Sequence, residues 1–253
     1  MSTHAPELEH IDELATKADS GDIESCYQLG LIYLDGRSSK RDLPSALHWL
    51  EMAAEKGHAK AQTNLGVIYA TGAGVDVNPL EARRWLDRAA EQHQADALFN
   101  LGLFAEEGFG ETRDIPKAVT LYAEAARLGH PEAQMNYGLA LLHGRGVTED
   151  AQEAVRWFMA AAEKGLVEAV HNLAICLDAG IGIDSDPKLA HEWYVMSAEE
   201  GYLPSIYNLA YHYENGPDGW PRDVDKAKQL YQVAAASGHD GALDALVRIS
   251  QLN

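Results

Sequence analysis

Apolar and polar positions alternate along this chain with two nested periods. Within short segments the apolar residues recur three and four apart, the spacing of one buried face of an α-helix. The segments themselves recur every 36 residues. A-Q-T-N-L-G from Ala61 returns as A-L-F-N-L-G from Ala97, A-Q-M-N-Y-G from Ala133 and A-V-H-N-L-A from Ala169. S-I-Y-N-L-A from Ser205 and S-C-Y-Q-L-G from Ser25 complete the set, so that one reference position falls at Gly30, Gly66, Gly102, Gly138, Ala174 and Ala210. A fixed period of this length marks an array in which each unit buries its apolar face only against its neighbours.

Each period predicts two helices. The first carries the motif and ends at glycines 36, 72, 108, 144, 180 and 216. Glycine just past the last apolar position stops a helix because it adopts the left-handed conformation at little cost. A second glycine at 74, 110, 146 and 182 allows a tight turn. Asp42, Asn78, Asp114, Asp150 and Asp186 then stand where a side chain can accept from the free amides of the next helix. Pro44, Pro79, Pro116 and Pro187 follow closely, as suits a first helical turn. The second helix places alanine at 46, 82, 118, 154 and 190, then a large residue three on (Trp49, Trp85, Leu121, Trp157, Trp193), then an Ala-Ala pair. Small residues facing large ones let two helices interdigitate. Gly57, Gly129, Gly165 and Gly201 close this helix, with His93 standing in the second copy.

The ends and the sixth copy depart from the rule. Residues 1–6 read as unstructured and 7–21 as an N-terminal capping half-repeat; repeats follow near 22–57, 58–93, 94–129, 130–165, 166–201 and 202–238, and 239–253 reads as a C-terminal capping helix. One residue too many lies between Gly216 and Asp223, with Pro217-Asp218 as the extra segment. Trp220 aligns, allowing for this insertion, with Val75, Val147 and Ile183, so it is expected to tuck onto the helices rather than stand out as an anchor.

The pattern A-x-x-N-L-G-x-x-Y-x-x-G-x-G-V followed by D-x-x-x-A-x-x-W-x-x-x-A-A-x-x-G resembles the Sel-one-like repeat (SLR) family, a longer cousin of the tetratricopeptide repeat. The resemblance covers nearly the whole chain. It implies an all-α fold, a right-handed α-solenoid of about six helix-turn-helix repeats with its first helices on the concave side, and work as an adaptor or scaffold. Secreted bacterial members often carry a cysteine pair in each repeat. This chain has only Cys26 and Cys176, which fit small hydrophobes in a reducing cytoplasm.

On the first helix, the residues five before, one before and three after the reference position share one face, as Ala61, Leu65 and Tyr69 do; that face is core. The residues three before and one after form a second stripe at i, i+4: Tyr27/Leu31, Thr63/Val67, Phe99/Leu103, Met135/Leu139, His171/Ile175 and Tyr207/Tyr211. Beside it run Asn64, Asn100, Asn136, Asn172 and Asn208, with Gln28 in the first copy. As a binding surface this is a concave groove whose amides hydrogen-bond the backbone of an extended peptide while Phe99, Met135, His171, Tyr207 and Tyr211 select its side chains. The alternative is that each Asn satisfies turn or neighbouring backbone and the stripe packs repeats together. Thr63, His171 and Tyr207 suit exposure better than a sealed interface, and Tyr207 and Tyr211 are the expected hot spots.

Charge narrows the partners. Twenty Lys and Arg against 39 Asp and Glu give a net charge of −19. Such a field repels nucleic acid and anionic lipid and favours basic partners. No apolar run reaches a membrane span, and no signal sequence opens the chain. The eleven histidines lack ligand spacing, the Gly-rich turns lack the lysine and strand of a phosphate loop, and no nucleophile sits in a recognisable motif. The sequence therefore points to a cytoplasmic, non-catalytic interaction module without metal or cofactor, monomeric rather than dimeric, holding a protein or peptide. An inhibitor or immunity-type protein that neutralises a basic effector is the alternative reading, and a hydrolase of cell-wall or lactam substrates a third.

Overall fold

A computed structural model describes residues 5–35, 41–217 and 219–251, with side chains described from residue 11 onward. Of residues 1–6, expected to be unstructured, Ala5 and Pro6 instead open the first helix; residues 1–4, the helix stop at Gly36, the inserted Asp218 and the last two residues lie outside the described residues. Among the described residues the chain is all-α, with fourteen helices and no strand, built as a solenoid-type repeat. It divides into two compact units, Met1–Leu128 and Gly129–Asn253.

The first unit holds α1 (Ala5–Asp19), α2 (Ile23–Asp35), α3 (Leu43–Glu55), α4 (Ala59–Thr71), α5 (Pro79–Ala90), α6 (Ala95–Glu107) and α7 (Ile115–Arg127). The second holds α8 (Pro131–His143), α9 (Ala151–Ala162), α10 (Val167–Ala179), α11 (Pro187–Glu199), α12 (Leu203–Asn215), α13 (Val224–Ala236) and α14 (Asp240–Ser250). In both units each even-numbered helix up to α12 pairs with the helix that follows it, and these hairpins are the most extensive contacts in the chain. The stop and start signals are those read from the sequence. Gly72, Gly108, Gly144, Gly180 and Gly216 close the first helices in the left-handed conformation. Asp42, Asn78, Asp114, Asp150 and Asp186 each accept a backbone amide of the second helix, and Asp223 does the same for α13.

The hairpin interior is set by a close approach at the reference position. A Cβ on Gly30, Gly66, Gly102 or Gly138 would lie within 2.7 Å of Leu50, Leu86, Tyr122 or Phe158. These facing residues are fully or nearly fully buried, as are Tyr194 and Tyr231 in the copies that carry alanine at the reference position. The contact thus belongs to the residue after the tryptophan position. Trp85 is buried, but Trp49, Leu121, Trp157 and Trp193 are only half-buried. One step along a helix turns a side chain by about 100°, so the tryptophans flank the seam that their neighbours fill.

Two signals escaped the sequence reading. His58 and His130 are N-caps, their Nδ1 atoms accepting from the amides of Ala61 and Ala133 at 3.1 and 3.2 Å. An imidazole nitrogen does here what an aspartate oxygen does at the second helices. His93, where the other copies have glycine after the second helix, holds φ at +58° without the freedom glycine has there.

Candidate partner-binding face

On the outward face of each first helix, positions three before, one after and five after the reference lie in line, one turn apart. The row one after the reference position is apolar in all six copies. Leu31, Val67 and Leu103 in the first unit and Leu139 and Ile175 in the second are half-buried, and Tyr211 is 48% exposed. Side chains of this type gain little by partial exposure, which leaves apolar area available for contact.

In the first unit this row lines a cleft of about 200 Å³ between α4 and α6. Val67, Ala70, Leu103, Phe104 and Phe109 supply its apolar wall, with the Phe104 and Phe109 rings 4.6 Å apart. Thr71, Asn100 and Glu107 stand at its polar edge. Thr71 spends its hydroxyl proton on the Val67 carbonyl at 2.9 Å. Asn100 donates from Nδ2 to the Asp96 carbonyl at 2.7 Å, which fixes the amide and leaves Oδ1 as an acceptor.

The asparagine row does mixed work. Asn64 stands beside the Tyr27 hydroxyl of the preceding repeat and Asn208 beside that of Tyr194 on α11, each opposing part of the upward push that burial gives the phenol. Asn100 serves its own helix. Asn136 and Asn172 are half-buried, and among the described residues their side chains make no such bond. Structural duty and availability are therefore divided within one row.

The row three before the reference position is not uniformly open. Thr63 and His171 are buried, contrary to the expectation of exposure. The hydroxyl of Thr63 is satisfied by the Ala59 carbonyl, at 3.1 Å, so its polarity is no obstacle to burial. His171 sits in a closed chain: its Nδ1 meets Ser205 Oγ at 2.7 Å, and Ser205 Oγ meets Ser197 Oγ at 2.8 Å. Burial pushes the His171 imidazole down to about 4, so it stays neutral near pH 7. A partner from the next repeat, unseen in local sequence, makes a histidine acceptable inside. Phe99 and Met135 are half-buried, Phe99 tilting against Tyr122 with ring centres 5.7 Å apart. Tyr207 stacks on His239 with ring centres 4.2 Å apart and meets Tyr231 edge-on, so its ring is engaged at the junction with α14. Tyr211 alone of the two expected hot spots presents an open ring.

Trp220 is buried, as expected. Its ring stacks on His212 at 3.9 Å and its Nε1 donates to Asp178 Oδ1 at 3.1 Å, which holds the irregular turn of the sixth repeat against α10 and α12. Cys26 and Cys176 are buried free thiols, and burial raises both above the usual range. Among the described residues no group of three or more His, Cys, Asp or Glu could hold a metal, and no helix is long and apolar enough to cross a membrane.

Comparison with known proteins agrees with this geometry. No curated protein matches the chain. The structure is similar to that of a protective antigen of uropathogenic Escherichia coli with an SLR fold, at TM-score 0.86 and 31% identity over 94% of this chain. The match spans 51% of that antigen, so the chain corresponds to about half its length. A Sel1 repeat protein from Oxalobacter formigenes is 33% identical, with TM-score 0.73 over 84% of this chain and 85% of that one. An immunity protein from Pseudomonas aeruginosa shares the fold alone, at 19% identity and TM-score 0.52 over 87% of this chain and 84% of its own. The model of the Sel1 repeat matches residues 23–58, 59–93, 95–130, 131–166, 167–202 and 203–239, one match for each helix pair. With most of its length in six such matches and the hairpins they describe in place, the chain belongs to the Sel1 repeat family.

Proposed function

We propose that this protein is a non-catalytic interaction module that holds an extended segment of a partner protein against the outward faces of its first helices. The observation that carries this reading is the α4–α6 cleft, an apolar wall with an amide and a carboxylate at its edge. Extended segments are recognised in this way, by pockets that take alternate side chains and polar groups that meet the backbone between them. Asn136, Asn172 and Tyr211 offer the same kinds of group in the second unit. Mediation of protein contacts is also the usual work of Sel1 repeats.

The test is affinity capture from a lysate by wild type, Leu103→Asp and Met159→Asp. Leu103 lines the cleft, whereas Met159 is an exposed residue of a second helix. A partner retained by Met159→Asp and lost by Leu103→Asp, with both variants equally helical by circular dichroism, supports the reading. A partner lost only by Met159→Asp places the binding surface on the second helices and ends it.

A further inference from the structure

Building on this interaction reading, we infer that the α4–α6 cleft takes a basic-apolar segment: one bulky apolar side chain in the cleft, with a lysine or arginine two residues away. Size sets the first half. A dry cavity of about 150 Å³ holds a benzene ring, so a cleft of about 200 Å³ holds one phenyl or branched aliphatic side chain. It is too small for the flank of a helix, which would bring several side chains at once.

Charge sets the second half. No Lys, Arg or His lines the cleft. Its polar edge is rich in acceptors: Asn100 Oδ1, the Thr71 hydroxyl oxygen whose proton is already given away, and the Glu107 carboxylate. Glu107 is exposed, and among the described residues it has no ion-pair partner. Its neighbour Glu111, by contrast, is shared between Arg83 and Lys117. A ligand that places a cation against Glu107 therefore supplies a counter-charge the protein lacks there, in a chain of net charge −19. The spacing also fits. Glu107 stands one helical turn beyond Leu103, about 6 Å along the axis at 1.5 Å per residue. Two residues of extended chain span roughly 6.6 Å, so side chains at i and i+2 of the ligand reach Leu103 and Glu107 together.

Three labelled nonapeptides test this, each Gly-Ser in its flanks: one with Lys two residues either side of a central Leu, one with Glu in place of both Lys, and one with Lys retained but Ser for Leu. Binding is followed at low salt by anisotropy and by amide resonances of α4 and α6. For wild type the Lys-Leu peptide shifts those resonances and binds about fivefold more tightly than the Glu-Leu peptide, the scale of one exposed ion pair changed into a repulsion. Glu107→Lys cancels or inverts that preference. Glu91→Lys, which reverses a charge outside the cleft, leaves it intact and so separates local pairing from the general field. Equal shifts of α4 and α6 by the Lys-Leu and Glu-Leu peptides overturn the basic requirement and leave the interaction reading standing. Equal binding of the Leu and Ser peptides overturns the apolar requirement. If no peptide shifts α4 or α6, both readings fall. If dimerisation of the protein shifts the same resonances at high concentration, the cleft belongs to a second copy and the inference is refuted.

Discussion

Replacing Gly66 by alanine opposes two effects of similar size. Alanine is favoured over glycine inside a helix by about 1 kcal/mol, so propensity alone makes the variant more stable. Packing opposes it. The new Cβ would lie 2.5 Å from Leu86 Cγ, 2.7 Å from Leu86 Cδ2 and 3.1 Å from the Ala82 carbonyl oxygen. Leu86 is fully buried and Cγ is its branch point, not a free end. The carbonyl is helix backbone, so relief requires α4 and α5 to part. Overpacking of this kind costs about 1–3 kcal/mol. The net expectation is a loss of about 1 kcal/mol, read from urea unfolding by circular dichroism and localised to α4 and α5 by hydrogen exchange, because stability in a repeat array is shared between neighbours. Leu86→Ala alone should cost about 2–5 kcal/mol. In the Gly66→Ala background it should cost less, by about 1 kcal/mol, because the added methyl enters the space the leucine leaves. The chain contains its own comparison: the hairpins with Ala174 and Ala210 are packed less extensively than the four with glycine. A Gly66→Ala protein more stable than wild type, or strict additivity in the cycle, would refute the close-approach argument.

Three further outcomes are expected. His93→Gly should stabilise the protein by up to about 1 kcal/mol, because a side chain with φ at +58° carries a cost glycine does not; no gain in urea midpoint would mean the ring is compensated where it stands. Arg248→Ala removes two hydrogen bonds from buried Glu214, at 3.0 and 2.6 Å, leaving the Tyr231 hydroxyl as its side-chain partner among the described residues, and should cost about 2 kcal/mol. The loss should appear as faster hydrogen exchange in α14, and unchanged exchange there would count against the tie. His171 sets an acid limit. Its ordinary value of 6.5 applies to the unfolded chain and about 4 to the folded one, so between these the unfolded state binds the extra proton. Stability from this group is complete above pH ~6.5, declines as pH falls, and levels off below pH ~4, a total of about 3 kcal/mol. The difference in urea midpoint between wild type and His171→Gln should shrink across that window, and a constant difference from pH 7 to 4 would dismiss the buried histidine as its source.

What could be read from the sequence follows the range of the forces involved. Helix ends were legible because their causes are local: a glycine in the left-handed region, a carboxylate three residues before the amide it accepts, a proline in the first turn. Trp220 was placed correctly because alignment with Val75 and Val147 carries the packing direction with it. The seam residue was not, since helical periodicity cannot tell Trp49 from Leu50 when both are large and apolar. His171 was misjudged because its partner, Ser205, is 34 residues away and belongs to the next copy. His58 and His130 were passed over as caps because imidazole is a rare acceptor at that position, although both stand just ahead of the first-helix motif.

The same division explains why the repeat discloses a surface and not a partner. Positions five before, one before and at the reference are held by the hairpin seam, and each copy fills them with small or bulky apolar residues accordingly. Part of the asparagine row is drawn into structural duty as well, Asn100 through the Asp96 carbonyl of its own helix. The row one after the reference is outside the seam yet apolar in every copy, and this is what makes the outward face adhesive. Five residues after the reference, where the seam imposes nothing, Asp35, Thr71, Glu107, His143, Ala179 and Asn215 differ in charge and polarity, with a carboxylate only at Asp35 and Glu107. If the first helices bind a partner, adhesion comes from the uniform row and discrimination from the variable one. Exchanging Thr71 and Glu107 between their two repeats should then move the charge preference along the first unit without changing its stability, whereas exchanging Val67 and Leu103 should change neither preference by more than a fewfold.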